Sequence, residues 1–329
     1  MQVLLFYGEP EPDKWVPGDR YARRLFRPLY RALSGRQATS GFRVWFEALV
    51  KALTRAGHEV IVNDARRARR EPRYPIGLCG YSVVVEQNRL PNPAVLGPGL
   101  YDHPKLALNL MDDPRYRAYL VTCDWMKELF GRYYGPERLH LWHGAIDTDA
   151  WPDTRGHEKN IDVLVYDKIR WNRSRLVPEL LSPMMDALRK RRLNVEVVRY
   201  GHYQHHTYRA LLERAKGMLF LVESETQGMA YQEALAGNVP VLAWDGGFWL
   251  DPKRLQYETE PVPASSVPYF SSECGERFKG IDDFEPALDR FLSGRYEPRR
   301  FVQRELSFEG SAEKYLRVYR ALVPSNRAA

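Results

Sequence analysis

Three cysteines in 329 residues, Cys79, Cys123 and Cys274, are too few and too far apart for a disulfide framework, and none shows the C-x-x-C spacing of a zinc or iron–sulfur clamp. They read as reduced, structural thiols. The chain lacks any run of roughly 18–20 uninterrupted apolar residues, which excludes a membrane-spanning helix. Its first residues, MQVLLFYGEPEPDKW, have neither a basic lead nor a small-residue cleavage site, so a cytoplasmic protein without a targeting peptide is expected. No repeat of solenoid period and no low-complexity tract occurs. What is present, 44% hydrophobic and 28% charged residues, is the balance of a globular chain that can bury a large core. Disorder and fibrous classes are excluded.

Acidic residues are scarce in one region. Residues 14–73 hold fifteen Lys or Arg against five Asp or Glu, within a net charge of +7. Such a surface suits anionic lipid, a phosphorylated glycan carrier or nucleic acid, and equally plain solvation. Inside it, YARRLFRPLYRAL sets Leu25, Phe26, Leu29 and Leu33 at helical spacing among arginines, interrupted by Pro28, which leaves a membrane-surface helix and an ordinary surface helix both open. Ser40 or Gly41 then opens a helix through VWFEALVKALTRAG, with Trp45, Leu49 and Leu53 on one face and Gly57 as its stop.

The apolar pattern alternates between short strands and helices. QVLLFY, HEVIVND, YSVVVEQ, KLALNLMDD, AYLVTCD and ERLHLWHG read as strands, with DWMKELFGRYYG as a helix. After the polar stretch AIDTDAWPDTRGHEKN the alternation restarts, through strands IDVLVY, NVEVVRY, MLFLVE and VPVLAW and the helices between them. The expected architecture is α/β: two Rossmann-like, doubly wound domains facing a cleft, at residues 1–155 and 156–309, followed by a C-terminal helix at 310–329. Ligands are expected at the carboxyl ends of the strands, where each sheet switches direction.

The segment ESETQGMAYQEALAGNVPVLAWDGG carries two carboxylates, Glu225 on a strand-to-helix turn and Glu233 inside the helix. That helix is expected to begin near Gly228, where free backbone N–H groups and the macrodipole seat a diphosphate. Gly228 allows close approach of a phosphate or sugar to the backbone, Glu233 can accept hydrogen bonds from a ribose diol, and Glu225 can hold sugar hydroxyls. In LVYDKIRWNRSR, Lys168 and Arg173 place two cations on one loop, a pair suited to neutralising a pyrophosphate leaving group.

This segment resembles the donor-binding signature of the retaining family-four glycosyltransferases of GT-B architecture, E-G-F-G-x4-E-A-M-A-x-G-x-P-V. It matches at Glu225, Gly228, Glu233, Ala234, Ala236, Gly237, Pro240 and Val241, and departs at Thr226 and Gln227, where the family has glycine and an aromatic. HGAIDTDAWP is similar to the family's N-G-V-D-x-x-x-F-x-P element, and SFEGSAEKYLRVYRAL to its last helix, which crosses back to the first domain. The resemblance implies that Lys168 and Arg173 grip the donor diphosphate, in swapped order relative to the family. It implies donor contacts at Gly228, Met229, Ala230 and Glu233, a catalytic role for Glu225, and a contact from His103 to the transferred sugar. Asp102, Asp112 and Asp113 fall on the acceptor side.

By this resemblance the chain is expected to move a sugar, a hexose, from a nucleoside diphosphate donor to a glycan or glycolipid acceptor in surface polysaccharide assembly. No metal or other cofactor is implied: the departing diphosphate itself takes the acceptor proton on the same face. Contact with the inner face of an anionic membrane stays open. Two alternatives remain: transfer to hydroxymethylated DNA, suggested by the arginine-rich first quarter, and a non-catalytic sugar-nucleotide-binding protein, suggested by the altered residues of the motif. Asp147-Thr148-Asp149 is a literal D-x-D, but its place inside HGAIDTDAWP argues against a metal site. His202, His205 and His206 have no ligand at a partner spacing and read as incidental, and Trp244–Gly247 receive no role.

Overall fold

A computed structural model describes residues 1–10 and 40–324. The basic segment containing Leu25, Phe26, Leu29 and Leu33 lies outside the described residues. The chain divides into two compact units: Met1–Val121, Glu137–Trp142 and Ala312–Ala329 form the first, and Thr122–Pro136 with His143–Ser311 the second.

The first unit is built on a parallel sheet of β1 (Gln2–Gly8), β2 (Glu59–Val62), β3 (Ile76–Tyr81), β4 (Ala94–Leu100), β5 (Tyr116–Val121) and β6 (Leu139–Leu141), in the order β2-β1-β3-β4-β5-β6. A central parallel strand is covered on both faces, so it reads as an unbroken apolar run, and Val3, Leu4, Leu5 and Phe6 are all buried. The helix Gly41–Arg55 starts where the Ser40 hydroxyl accepts the Arg43 N–H at 3.3 Å, and it buries Trp45, Phe46, Leu49, Ala52 and Leu53. It stops at Gly57, whose φ of 78° lets the N–H groups of Gly57 and His58 return to the carbonyls of Thr54 and Leu53.

Two of the expected strands are not strands. YSVVVEQ contains the one-turn helix Val83–Gln87, and β3 ends just before it. Its valines favour extended backbone in isolation, but packing decides: Val84 is buried against Gly8, where an added Cβ would lie 2.7 Å from the Val84 Cβ. KLALNLMDD forms two 3₁₀ turns, Pro104–Leu106 and Leu110–Asp112, and leaves Leu106 and Leu108 exposed. The strand that precedes it is β4, AVLGPGL, whose glycines and proline punctuate the run and hide it from a periodicity reading. Gly99 is required there. It has φ 101°, and its Cβ would meet the Gly80 carbonyl oxygen at 2.4 Å.

The last helix, Phe308–Arg320, belongs to the first unit from Ala312 onward. The Tyr319 hydroxyl accepts the Leu4 N–H at 3.0 Å and donates to the Pro75 carbonyl, while the Tyr315 hydroxyl fills the space where a Gly77 side chain would stand.

The second unit holds a parallel sheet of β7 (Ile161–Lys168), β8 (Val195–Arg199), β9 (Ala215–Val222), β10 (Val241–Trp244) and β11 (Gly275–Phe278), ordered β11-β10-β9-β7-β8. Alternate residues of β9 enter opposite cores. Met218, Phe220 and Val222 pack with Tyr166, Tyr208 and Tyr231, and Leu219 and Leu221 pack with Met184, Leu188, Leu242 and Phe284. Between β7 and β8 the chain runs through the helix Arg173–Leu176, a π turn at Val177–Leu181 and the helix Ser182–Lys190. Pro178 and Pro183 lack the N–H groups that a regular α-helix needs there. Among the described residues no helix is long and apolar enough to cross a membrane.

The glycine geometry separates two outwardly similar substitutions. Gly99→Ala is expected to destabilise the fold by about 1–3 kcal/mol, through strained backbone and the clash with Gly80. Gly41→Ala, with nothing within 4 Å of its Cβ at a helix start, is expected to be neutral or slightly stabilising in the same urea titration.

Candidate functional site

Leaving β7, the chain first pairs β8 on one side and later returns β9 on the other, so the second sheet switches direction between β7 and β9. A doubly wound sheet opens its ligand crevice at the carboxyl ends of the strands that flank such a point. Lys168 and Val222 are partners in register there, so residues 167–173 and 223–228 leave the sheet side by side.

Six charged side chains, Arg170 among them, lie on these two loops. The Lys168 ammonium is ion-paired with the Glu225 carboxylate, their side chains 13% and 14% exposed, and it lies 4.7 Å from the centroid of the Tyr200 ring. Arg173 forms a bidentate pair with Asp167, Nη1 to Oδ1 at 2.8 Å and Nη2 to Oδ2 at 2.6 Å, and adds a bond to the Ile169 carbonyl at 3.1 Å. The two cations read as a pair for a pyrophosphate are each engaged with a carboxylate. The reason is burial: the Asp167 side chain is only 4% exposed, and an ionised carboxylate out of water has to find a partner.

The third carboxylate of these loops, Glu223, is not among the candidates legible in the sequence. It is 2% exposed, and its Oε1 accepts the backbone N–H groups of Arg170 at 2.7 Å and Trp171 at 2.8 Å. Its Oε2 has no hydrogen-bond partner. Burial pushes its pKa up against the opposing pull of those amides and of Arg170. The signal for it was present: an acid directly continuing the apolar strand MLFLV is rare unless something inside pairs with it.

Glu225 is pinned through its backbone, the N–H donating to Ser265 and the carbonyl accepting the Trp125 indole N–H, both at 2.9 Å. Gln227 is a buried clamp on Gly144. Its amide oxygen accepts the Gly144 N–H at 2.8 Å and its amide nitrogen donates to the Gly144 carbonyl at 2.6 Å, a role that an aromatic residue cannot fill. Gly228 adopts φ 80° and caps the helix Met229–Ala236 without a side-chain bond, which leaves the first-turn amides without a capping acceptor. A Cβ at this position would meet the Tyr231 ring at 2.2 Å, so it is the protein's own side chain that needs the space.

Glu233 projects from that helix with 14% of its side chain exposed, and the His205 Nε2 lies 3.3 Å from its Oε1. Burial raises the Glu233 pKa, with His205 pulling it back, and the His205 pKa is raised by Glu233 in turn. One member of the histidine cluster thus lies beside Glu233. No spacing rule finds it, because the contact joins residues on two separate helices.

The remaining expected residues lie in the first unit. His103 is wholly buried and extended, its Nδ1 accepting the Lys105 N–H at 3.1 Å to open a 3₁₀ turn. Asp102 and Asp112 are exposed, and Asp113 is chelated by Arg115, which holds its carboxyl below the usual range. In the D-x-D sequence, the Asp147 carboxylate accepts the Asp149 N–H at 3.2 Å, a local turn. Among the described residues no group of three or more His, Cys, Asp or Glu is placed to hold a metal ion. A groove along the outer strand β11, lined by Asp245, Phe270, Arg277, Lys279 and Arg290, is the weaker candidate. It lies off the switch point, and its charges pair internally as Arg277–Asp245 at 3.6 Å and Arg290–Glu276 at 3.1 Å.

No family model matches the chain, and no curated protein is significantly similar to it in sequence. Solved structures are similar in fold. The apo form of the lipopolysaccharide outer core galactosyltransferase WaaB has a TM-score of 0.54 at 9% identity, over 98% of this chain and 99% of that one. Sucrose-phosphate synthase from Thermosynechococcus elongatus has a TM-score of 0.55 at 14% identity, over 98% and 99%. TarM of S. aureus has a TM-score of 0.53 at 11% identity, covering 78% of this chain and 57% of that one. At such identities the likeness is one of fold: the chain has the pair of Rossmann-like α/β units of GT-B architecture.

Glu233 offers a test of whether the site is kept for function at the expense of stability. A carboxyl whose native pKa is raised contributes stability that is full below its unfolded pKa and lost as pH rises through the native value. His205, also raised, loses its contribution in the same direction above its unfolded pKa of about 6.5. Glu233→Gln is therefore expected to gain on the wild type as pH rises, and to be at least as stable at pH 7, by up to about 2 kcal/mol. Urea denaturation between pH 4 and 8 checks this; a variant that is less stable throughout would make Glu233 a structural residue.

Proposed function

We propose that the chain is a retaining glycosyltransferase that moves a hexose from a nucleoside diphosphate sugar to a glycan or glycolipid acceptor, without a metal ion, in surface polysaccharide assembly. The observation that carries this reading is the Lys168–Glu225 ion pair at the carboxyl ends of β7 and β9, next in sequence to Gly228, which caps the helix bearing Glu233 without a side-chain bond. The likeness in fold to a galactosyltransferase and to sucrose-phosphate synthase supports the class.

In this reading the first-turn amides at Met229 and Ala230 face the donor diphosphate, and Glu233 accepts the ribose hydroxyls in place of His205. Lys168 exchanges its carboxylate partner for a phosphate oxygen, which frees Glu225 to hold hydroxyls of the transferred sugar. The same ammonium then stabilises negative charge on the leaving diphosphate, and that diphosphate takes the acceptor proton on the face it departs from. Catalysis is thereby positioning plus electrostatic stabilisation. The acceptor assignment rests on the sequence resemblance, with Asp102 and Asp112 its exposed candidates in the first unit.

A thermal-shift screen of the purified chain against UDP, GDP, ADP, CMP and dTDP and their common sugars, with and without EDTA, tests the donor site. One base is expected to stabilise the protein by about 2.7 kcal/mol at a hundred times its Kd, unaffected by EDTA, and Glu233→Ala to abolish the effect. With the donor so identified, Glu225→Gln and Lys168→Ala are each expected to lower donor turnover about 100-fold or more while the fold is kept. If no nucleotide binds, only the fold resemblance survives; binding without turnover under any acceptor leaves a sugar-nucleotide-binding protein.

A further inference from the structure

The segment from Lys168 to Arg173 contains three cations, and they are not equivalent. Lys168 faces Glu225. Arg173 has both terminal nitrogens on the buried Asp167 carboxylate, and drawing it away would leave that charge uncompensated inside the protein. Arg170 is exposed and, although its charge is felt by the buried Glu223, makes no ion pair with a carboxylate among the described residues. Its guanidinium lies 4.2 Å from the centroid of the Trp171 ring, a weak hold that an incoming anion does not have to break.

The backbone beneath Arg170 is fixed from inside. Glu223 directly follows β9, and its Oε1 takes the N–H groups of Arg170 and Trp171 together. The next residue, Asn172, is left-handed at φ 50°, ψ 33°, and completes the turn. A buried acid whose Oε1 accepts two consecutive amides of the neighbouring loop sets the height and direction of that loop. The loop stands at the switch point between β7 and β9, where the crevice opens.

We propose that Arg170, positioned by Glu223, is the arginine that grips the donor's diphosphate, and that Arg173 is a buttress of the β7 loop. This rests on the donor reading above. It revises which side chain meets the phosphates: Arg170 reaches the anion as an exposed guanidinium, and Glu223 positions the loop that carries it through the two amides.

Calorimetric titration of the full chain with inorganic pyrophosphate and with UDP, GDP and ADP, each beside its nucleoside, tests the assignment. Arg170→Ala is expected to weaken the diphosphate that binds by about tenfold or more, with little change for the nucleoside, and Arg170→Lys to recover part of the loss. Arg173→Ala is expected to lower Tm while leaving the diphosphate Kd within about twofold at temperatures where the variant is folded. Glu223→Ala is expected to weaken the same diphosphate, Glu223→Gln to keep an acceptor for both amides and largely restore it, and Arg170→Ala with Glu223→Ala to bind no worse than Arg170→Ala alone. Full diphosphate affinity in Arg170→Ala, or a tenfold loss in Arg173→Ala at unchanged Tm, overturns the assignment and leaves the donor reading standing. If the wild type binds none of these anions, the donor reading fails and the assignment falls with it.

Discussion

A carboxylate taken out of water has to be neutralised or hydrogen-bonded, and the crevice of the second unit is organised around four that are largely out of water. Asp167 captures Arg173, Glu223 captures two backbone amides, Glu225 takes Lys168, and Glu233 takes His205. Each pairing decides what its partner is no longer free to do. Arg173 is held to the sheet because the Asp167 carboxylate is deeply buried, whereas the Lys168–Glu225 pair is more exposed. The loop between β7 and Arg173 owes its course to Glu223.

The parallel sheets make this possible. In a doubly wound sheet every strand delivers its carboxyl end to the same edge, so residues far apart in sequence, such as Lys168 and Glu225, meet after β7 and β9 without any direct connection. The glycines at these edges serve packing. Gly8 and Gly99 admit Val84 and the Gly80 carbonyl in the first unit, and Gly228 admits the Tyr231 ring in the second. At Gly228 the neighbour that needs the space is the Tyr231 ring.

Much of the architecture is legible along the chain because it rests on local periodicity. β7, β9 and β10 of the second unit are apolar runs between helices, whereas β11, GERF, carries no such run and does not read as a strand, and the helix Gly41–Arg55 announces its ends through Ser40 and Gly57. In the first unit the same rules fail where long-range packing outweighs local preference, at Val83–Gln87 and at β4, whose Gly and Pro residues conceal a strand. The positions of Glu225, Gly228 and Glu233 on a turn, a cap and a helix are equally local and follow from a resemblance that spacing can carry.

What the linear pattern could not hold is who pairs with whom. That Lys168 meets Glu225, that Arg173 is drawn onto Asp167 and that His205 reaches Glu233 depend on strand order and on the depth of each carboxylate. Depth sets the desolvation cost of a charge, and only the assembled sheet fixes depth. The sequence by itself determined the α/β class, the doubly wound pattern and the helix that bears Glu233. The tertiary structure decided which cations remain exposed at the crevice, because burial, which no single residue specifies, ranks the carboxylates that compete for them.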